Sequence, residues 1–313
     1  MNNIGVNYFI TIVQEGNLNK AAKKLFVSQP SLSQYLQRLE KSLGVKLFNR
    51  STTPLTLTYA GKRYYEYVIH AKAMEDNIQK ELIDIEQDKG GCIKLGIPLW
   101  RGACVLPQVY PTFHKEYPNI KFELLERRAQ MLTSALKENE IDMAVINIPH
   151  IFDYKNLIYD VILEERLLLA ASSKNKLVQE ILKNAPLSNG YPAVDIGLVR
   201  KIPLIIGAEG QNSTAAIKYA LQKNHVDPQF LLETSNLTTA INLVAAGMGC
   251  TFVPEAGAEV CHRPGSVVYL SIDVPELVWP LAAVYRNDIY LPRICRLFIN
   301  SLKINLNKTA VKN

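Results

Sequence analysis

Apolar residues recur at helical intervals from the start of the chain. Tyr8, Phe9, Ile12 and Val13 share one face, and Glu15-Gly16-Asn17 breaks the pattern. Asn17 is suited to cap a second short helix with Leu18, Ala21, Ala22 and Leu25 on its buried side, where the small alanines admit a close neighbour. Ser28 is placed to cap a third helix, and Pro30 fits only a first turn, where its missing N–H leaves no bond unmade. Leu32, Leu36, Leu39 and Leu43 then form one stripe, and Gly44 ends the helix. The β-prone run Ser51–Thr58, with Pro54 as its turn, predicts a two-stranded wing.

From Thr58 to Asp88 there is no proline and only Gly61. Tyr64, Tyr67, Val68, Ala71, Met74, Ile78, Leu82 and Ile85 repeat every three or four residues, which predicts a long helix with a coiled-coil-like seam. A helix packed on its own domain would carry a similar stripe. Asp88-Lys89-Gly90-Gly91 ends it and reads as a hinge. Beyond residue 91, strands and helices alternate. Strands are expected at Ile93–Ile97, Ile120–Leu125, Asp142–Ile146, Leu167–Ala171, Leu204–Ile206, Phe230–Leu232, Cys250–Val253, Val267–Leu270 and Leu281–Tyr285. Helices are expected around Val105–Tyr117, Met131–Leu136, Ala215–Asn224, Leu237–Ala246 and Leu291–Leu302. This is the rhythm of an α/β fold with a mostly parallel sheet.

Charge sharpens the reading of the first module. Residues 1–63 hold nine basic residues against Glu15 and Glu40, a charge of +7, and the other 250 residues sum to −1. A basic module on a near-neutral body is the footprint of a nucleic-acid-binding domain. The side of the third helix opposite the leucines carries Ser31, Gln34, Gln37, Arg38 and Lys41, which suits the major groove of double-stranded DNA. Gln29 or Gln34 is suited to read adenine and Pro30 to meet a thymine methyl. The candidate DNA-facing residues are Ser28, Gln29, Pro30, Ser31, Ser33, Gln34 and Arg38, with Arg50, Thr52 and Thr53 of the wing along the phosphates.

Composition narrows the class. The 313 residues are 48% apolar and 20% charged, enough for two or three globular domains. No apolar run approaches a membrane span, and the N-terminus lacks a signal-peptide pattern, so no membrane partner is expected and the cytoplasm is the expected location. The five cysteines are widely spaced without a CxxC pair, and the five histidines are scattered. No metal, cofactor or catalytic centre is expected, for no GxSxG, Walker, HExxH or GxGxxG motif occurs.

Ala21-Ala22, Leu25, Val27-Ser28-Gln29-Pro30-Ser31-Leu32-Ser33, Leu39-Glu40, Leu43-Gly44, Leu47-Phe48-Asn49-Arg50, Leu57-Thr58 and Ala60-Gly61 closely resemble, in order and spacing, the LysR-type transcriptional regulators. Asn17-Leu18-Asn19 departs from the small hydroxyl residues and aromatic usual there. Val244 to Pro254, VAAGMGCTFVP, matches a later family motif. The resemblance implies a winged helix-turn-helix at 1–58, a linker and dimerisation helix at 59–89, an effector-binding domain at 90–304 and a tail at 305–313. That domain would be periplasmic-binding-protein-like, with lobe one at 92–163 plus 268–303 and lobe two at 164–267. It further implies a homodimer or homotetramer, a small-molecule effector between the lobes and RNA polymerase as a partner. In such folds ligands meet strand ends and helix N-termini, here Leu99, Trp100, Arg101, Gly102, Arg128, Ala129, Gln130, Asn147, Pro149, Gln211, Asn212 and Ser213. Arg101 and Arg128 beside helix N-termini favour an anionic effector, and Trp100 would stack on it or plug the cleft. The competing reading is a small-molecule-binding protein or enzyme with an unrelated basic module, which would keep full activity without residues 1–90.

Overall fold

The computed structural model describes residues 3–49, 54–85, 90–148, 156–260 and 264–310. The chain forms two compact units, Met1–Ile85 and Glu86–Asn313.

The first unit contains α1 (Asn3–Glu15), α2 (Leu18–Lys24), α3 (Gln29–Leu43), β1 (Phe48–Asn49), β2 (Thr56–Leu57) and α4 (Tyr59–Ile85). Local chemistry sets the helix ends. Asn17 Oδ1 accepts the N–H groups of Asn19 and Lys20 at 2.8 and 3.1 Å, and Ser28 Oγ accepts that of Ser31 at 3.3 Å. Gly44 closes α3 in the left-handed region, at φ 71°. Phe9, Ile12, Ala21, Ala22, Leu32, Leu36, Leu47, Phe48 and Val68 form the core. Burying each large side chain contributes about 2 kcal/mol. The α3 stripe fades along the helix: Leu39 is half-buried, and Leu43, the last helical residue, is exposed.

The strands β1 and β2 pair antiparallel, Phe48 opposite Leu57, as the wing. A buried carboxylate anchors its base. Glu40 Oε1 accepts the N–H groups of Leu47 and Phe48 at 2.9 and 3.4 Å, and Oε2 pairs with Lys46 Nζ at 2.9 Å. The seam expected along α4 divides in two. Val68 is buried and Tyr64 packs on the first-unit core, whereas Tyr67, Met74, Ile78 and Leu82 are exposed.

The second unit runs through β3 (Gly91–Ile97), α5 (Leu99–Glu116), β4 (Ile120–Glu126), α6 (Ala129–Lys137), β5 (Met143–Asn147), β6 (Leu157–Ser172), α7 (Lys176–Leu182), β7 (Leu187–Ser188), β8 (Tyr191–Pro192), β9 (Leu204–Gly207), α8 (Asn212–Lys223), β10 (Phe230–Thr234), α9 (Leu237–Ala245), β11 (Cys250–Pro254), α10 (Glu255–Val260), β12 (Val267–Leu270), β13 (Val278–Arg286) and α11 (Arg293–Ala310). The main sheet follows the order β10-β9-β11-β6-β13-β5-β3-β4, with β12 also on β6.

Two strands connect two lobes. The first part of β6, Leu157–Arg166, pairs with β13, and the rest pairs with β11. Along that second part Leu167, Leu169 and Ala171 face the core under α8, while Leu168 and Ala170 face the one under α9. The first lobe is likewise covered on both faces, by α5 and α11 on one side and α6 on the other.

Three boundaries differ from the sequence expectation. Gly91 lies in β3 opposite Ile120, so only Gly90 of the glycine pair stays outside an element. The chain does not re-enter lobe one at 268: β12 stays on β6, and Leu270, Ile272, Leu277 and Trp279 pack in the second-lobe core. The return runs along β13, which pairs with β5 and puts Leu281 and Ala283 into the first-lobe core. The C-terminal helix continues to Ala310 with Leu306 buried in the first-lobe core, through most of the stretch expected as a tail. Among the described residues no helix is long and apolar enough to cross a membrane.

Candidate functional site

In the first unit the candidate residues gather on α3. Burial of Leu32 and Leu36 turns Pro30, Ser31, Gln34 and Arg38 outward, all exposed along one side of the helix. Gln37 and Lys41 extend the exposed surface. Gln29 and Ser33 are half-buried at its margin. Ser28 is exposed, but its hydroxyl is engaged as the N-cap. Arg50, Thr52 and Thr53 lie outside the described residues. Burial alone would raise the Glu40 pKa, but Lys46 and the Leu47 and Phe48 N–H groups outweigh it and hold the carboxyl below its ordinary range. An ionised Glu40 thereby ties the end of α3 to the wing.

In the second unit a buried polar network joins the lobes. Arg101, on the first turn of α5, donates to Glu165 through Nη1–Oε1 at 3.1 Å and Nη2–Oε2 at 2.6 Å. Its Nη2 also donates to Asn147 Oδ1 at 2.6 Å, and Asn147 Nδ2 donates to Glu165 Oε2 at 3.0 Å. The second lobe enters through two bonds. The Ala256 N–H donates to Glu165 Oε1 at 3.0 Å, and Asn212 Nδ2 donates to the Asn147 carbonyl at 2.8 Å. Arg101 and Glu165 are each 3% exposed. Arg101 therefore offers no free charge to a ligand, contrary to the sequence expectation, because Glu165 already neutralises it. Sequence reasoning missed Glu165, and its one signal was a pair of acids, Glu164-Glu165, ahead of an apolar run.

Beside this network lies a cavity of about 360 Å³ between the lobes. It is lined by Leu99, Trp100, Arg101, Arg128, Ala129, Asn147, Gln211, Asn212 and Ser213 from the sequence expectation. Thr234, Ser235, Leu237, Thr251, Phe252 and Trp279 join them, beyond the residues the sequence singles out. Gly102 and Gln130 do not line it; Gly102 faces an adjoining apolar groove with Leu106, Tyr110 and Phe122. Pro149 lies outside the described residues. Trp100 seats against the second lobe, where a Cβ on Gly257 would stand 2.5 Å from Trp100 Cζ2. The Arg101 guanidinium lies 5.2 Å from the Trp100 ring centroid.

The electrostatics of the cavity come from backbone as much as from side chains. The N-termini of α5, α6 and α8 border it, and their N-cap residues Pro98, Arg128 and Gln211 make no side-chain cap bond. By contrast Asn17 caps α2, Ser28 caps α3 and Asn175 caps α7, and Asn236 caps α9, whose first residue Leu237 also lines the cavity. Uncapped N–H groups and the helix dipoles present a positive potential. Arg128 adds charge at the rim and donates to the Glu209 carbonyl at 3.2 Å, whereas Arg127 is paired with Glu140 at 3.3 Å and Glu126 also lines the cavity. Burial pushes the Cys250 thiol up to about 12, so it stays protonated and unreactive. Among the described residues no cluster of His, Cys, Asp or Glu is arranged to hold a metal.

Comparison with known proteins places both units. The profile of the LysR substrate binding domain matches residues 86–306, and that of the bacterial regulatory helix-turn-helix protein, lysR family, matches residues 5–62. The chain is 29% identical over 311 residues to the uncharacterized HTH-type transcriptional regulator YcgK of Bacillus subtilis, covering 97% of this chain and 94% of that one. It is 27% identical over 285 residues to the HTH-type transcriptional regulator BenM of Acinetobacter baylyi, covering 90% and 89%. Its fold matches a full-length OxyR from Pseudomonas aeruginosa with a TM-score of 0.71 at 20% identity, covering 96% and 97%. It matches CbnR, solved in complex with its target DNA, with a TM-score of 0.63 at 20% identity, covering 97% and 100%.

Proposed function

Since this chain belongs to the LysR family of helix-turn-helix transcriptional regulators, we propose that α3 reads an operator in the major groove while a small anionic molecule between the lobes of the second unit sets the strength of that binding. One observation carries the DNA reading: the exposed side of α3 is polar and basic because Leu32 and Leu36 are buried behind it. On this reading Gln29, Pro30, Ser33 and Gln34 meet base edges, Ser28 and Ser31 hold the start of the helix at the backbone, and Arg38, Arg50, Thr52 and Thr53 meet phosphates.

The exposed stripe Tyr67, Met74, Ile78 and Leu82 of α4 pairs with the same stripe of a second copy. Two copies, or two such pairs, present their winged modules to dyad-related half-sites. The protein acts in the cytoplasm, where its further partner is RNA polymerase. An anionic effector is favoured by the uncapped N-termini of α5, α6 and α8 and by Arg128. It shifts DNA affinity only by binding one lobe arrangement better than another.

The test separates base from backbone contacts. Gln34→Ala should relax base preference at a defined position at a cost of about 1–3 kcal/mol for the preferred site. Arg38→Ala should weaken all duplexes alike and lower the salt slope by about one. Unchanged binding to every duplex in both variants would remove α3 from the interface.

A further inference from the structure

The cleft's hydrogen-bonding chemistry specifies more of its ligand than a negative charge. Around the N-terminus of α8, side-chain oxygens are turned into free positions by bonds their amides already make. Asn212 is 6% exposed, and its Nδ2 must face the Asn147 carbonyl, which only accepts. Its Oδ1 is left buried without a hydrogen-bond partner. Gln211 is fixed in the same way, with Nε2 donating to the Ser235 carbonyl at 3.1 Å. Its Oε1 crowds over Gly207 together with Thr214 Oγ1, where a Cβ would collide with both. Thr214 Oγ1 is also buried without a partner, in a residue 2% exposed. Asn212, Gln211 and Gly207 line the cavity. The same helix end presents uncapped backbone N–H groups. Donors for an anion and acceptors for a donor thus sit side by side.

We propose that the effector is a small carboxylate bearing a hydroxyl or amino group next to the carboxylate, with the carboxylate at the N-terminus of α8 and the adjacent donor received by Asn212 Oδ1 and Gln211 Oε1. This deepens the anionic-effector reading and rests on it. A plain carboxylate would leave the Asn212 oxygen dry and unpaired, the condition that binding sites discriminate against most strongly. The other end of the ligand meets the apolar lining at Leu237 and Phe252.

The chain supplies its own reporter, because both of its tryptophans, Trp100 and Trp279, line the cavity. The full-length protein would be titrated by calorimetry and by tryptophan emission with two matched series, propionate, lactate and alanine, and phenylacetate, mandelate and phenylglycine. The expected result is that a hydroxy or amino member binds at least about tenfold tighter than its parent acid, with a change in tryptophan emission. The preferred member identifies which donor is read. Gln211→Met and Asn212→Leu should each shrink that preference several-fold. Parent acids that bind equally well and change the emission would overturn the donor requirement while leaving the cleft reading intact. Binding without any change in emission would overturn both. Unaltered preference in both variants would overturn the α8 assignment, and no binding by any member would refute the proposed ligand class.

Discussion

At the scale of single residues, two buried carboxylates do different work. Glu40 fastens the wing to α3, and its pKa is lowered. A lowered carboxyl pKa contributes stability that is present above the ordinary carboxylate range and is lost as pH falls through the lowered value. Glu40→Gln should therefore loosen the amides of Leu47 and Phe48 at neutral pH by about 2 kcal/mol, and the difference from the parent chain should vanish in acid. Hydrogen exchange of that segment at two pH values checks it; equal protection at neutral pH would deny the anchor. Glu165 instead balances Arg101 inside the cleft. Removing one partner strands a charge, whereas removing both does not. Glu165→Leu should cost about 3 kcal/mol of unfolding free energy, and Arg101→Met in the same chain should restore most of it. Additive losses would mean that the pair does not act as a unit. Neither role was legible beforehand. Glu40 belongs to a recognisable run, but two of its partners are backbone N–H groups, which no side-chain pattern marks. The partners of Glu165 are scattered from Arg101 to Ala256, which no spacing rule connects.

At the scale of elements, legibility followed burial pattern. The helices α1 to α4 announced themselves because each has one buried and one wet side. The strand β6 is only half legible in the sequence. Its second part, Leu167–Ser172, is buried throughout and reads as an apolar run. Its first part carries Asp160, Glu164, Glu165 and Arg166 and resembles a loop, although β13 pairs along it. The seam of α4 shows how one periodicity serves two purposes, inward packing at Val68 and an exposed stripe further on. If that stripe pairs copies of the chain, Ile78→Glu should weaken self-association at least about tenfold in sedimentation, since a charge in such a seam is left unpaired. An unchanged association constant would assign assembly to another surface.

At the scale of the whole molecule, the proposed function couples a helix-turn-helix module to a two-lobed effector-binding body. The family and both units were readable from motifs, whereas the position of the return strand was not, since the apolar pattern from Val267 to Trp279 suits either lobe. Linkage makes the coupling reciprocal: whatever the effector does to DNA affinity, DNA does to effector affinity. All of this presupposes sequence-specific binding to a duplex. The most direct measurement is selection of duplexes from a random pool by the full-length chain, with affinities read at physiological salt. The expected result is enrichment of dyad-related half-sites spaced by about one helical turn or its multiples, bound at least about a thousandfold tighter than random duplex. No enrichment, with selected and random duplexes bound alike, would contradict it.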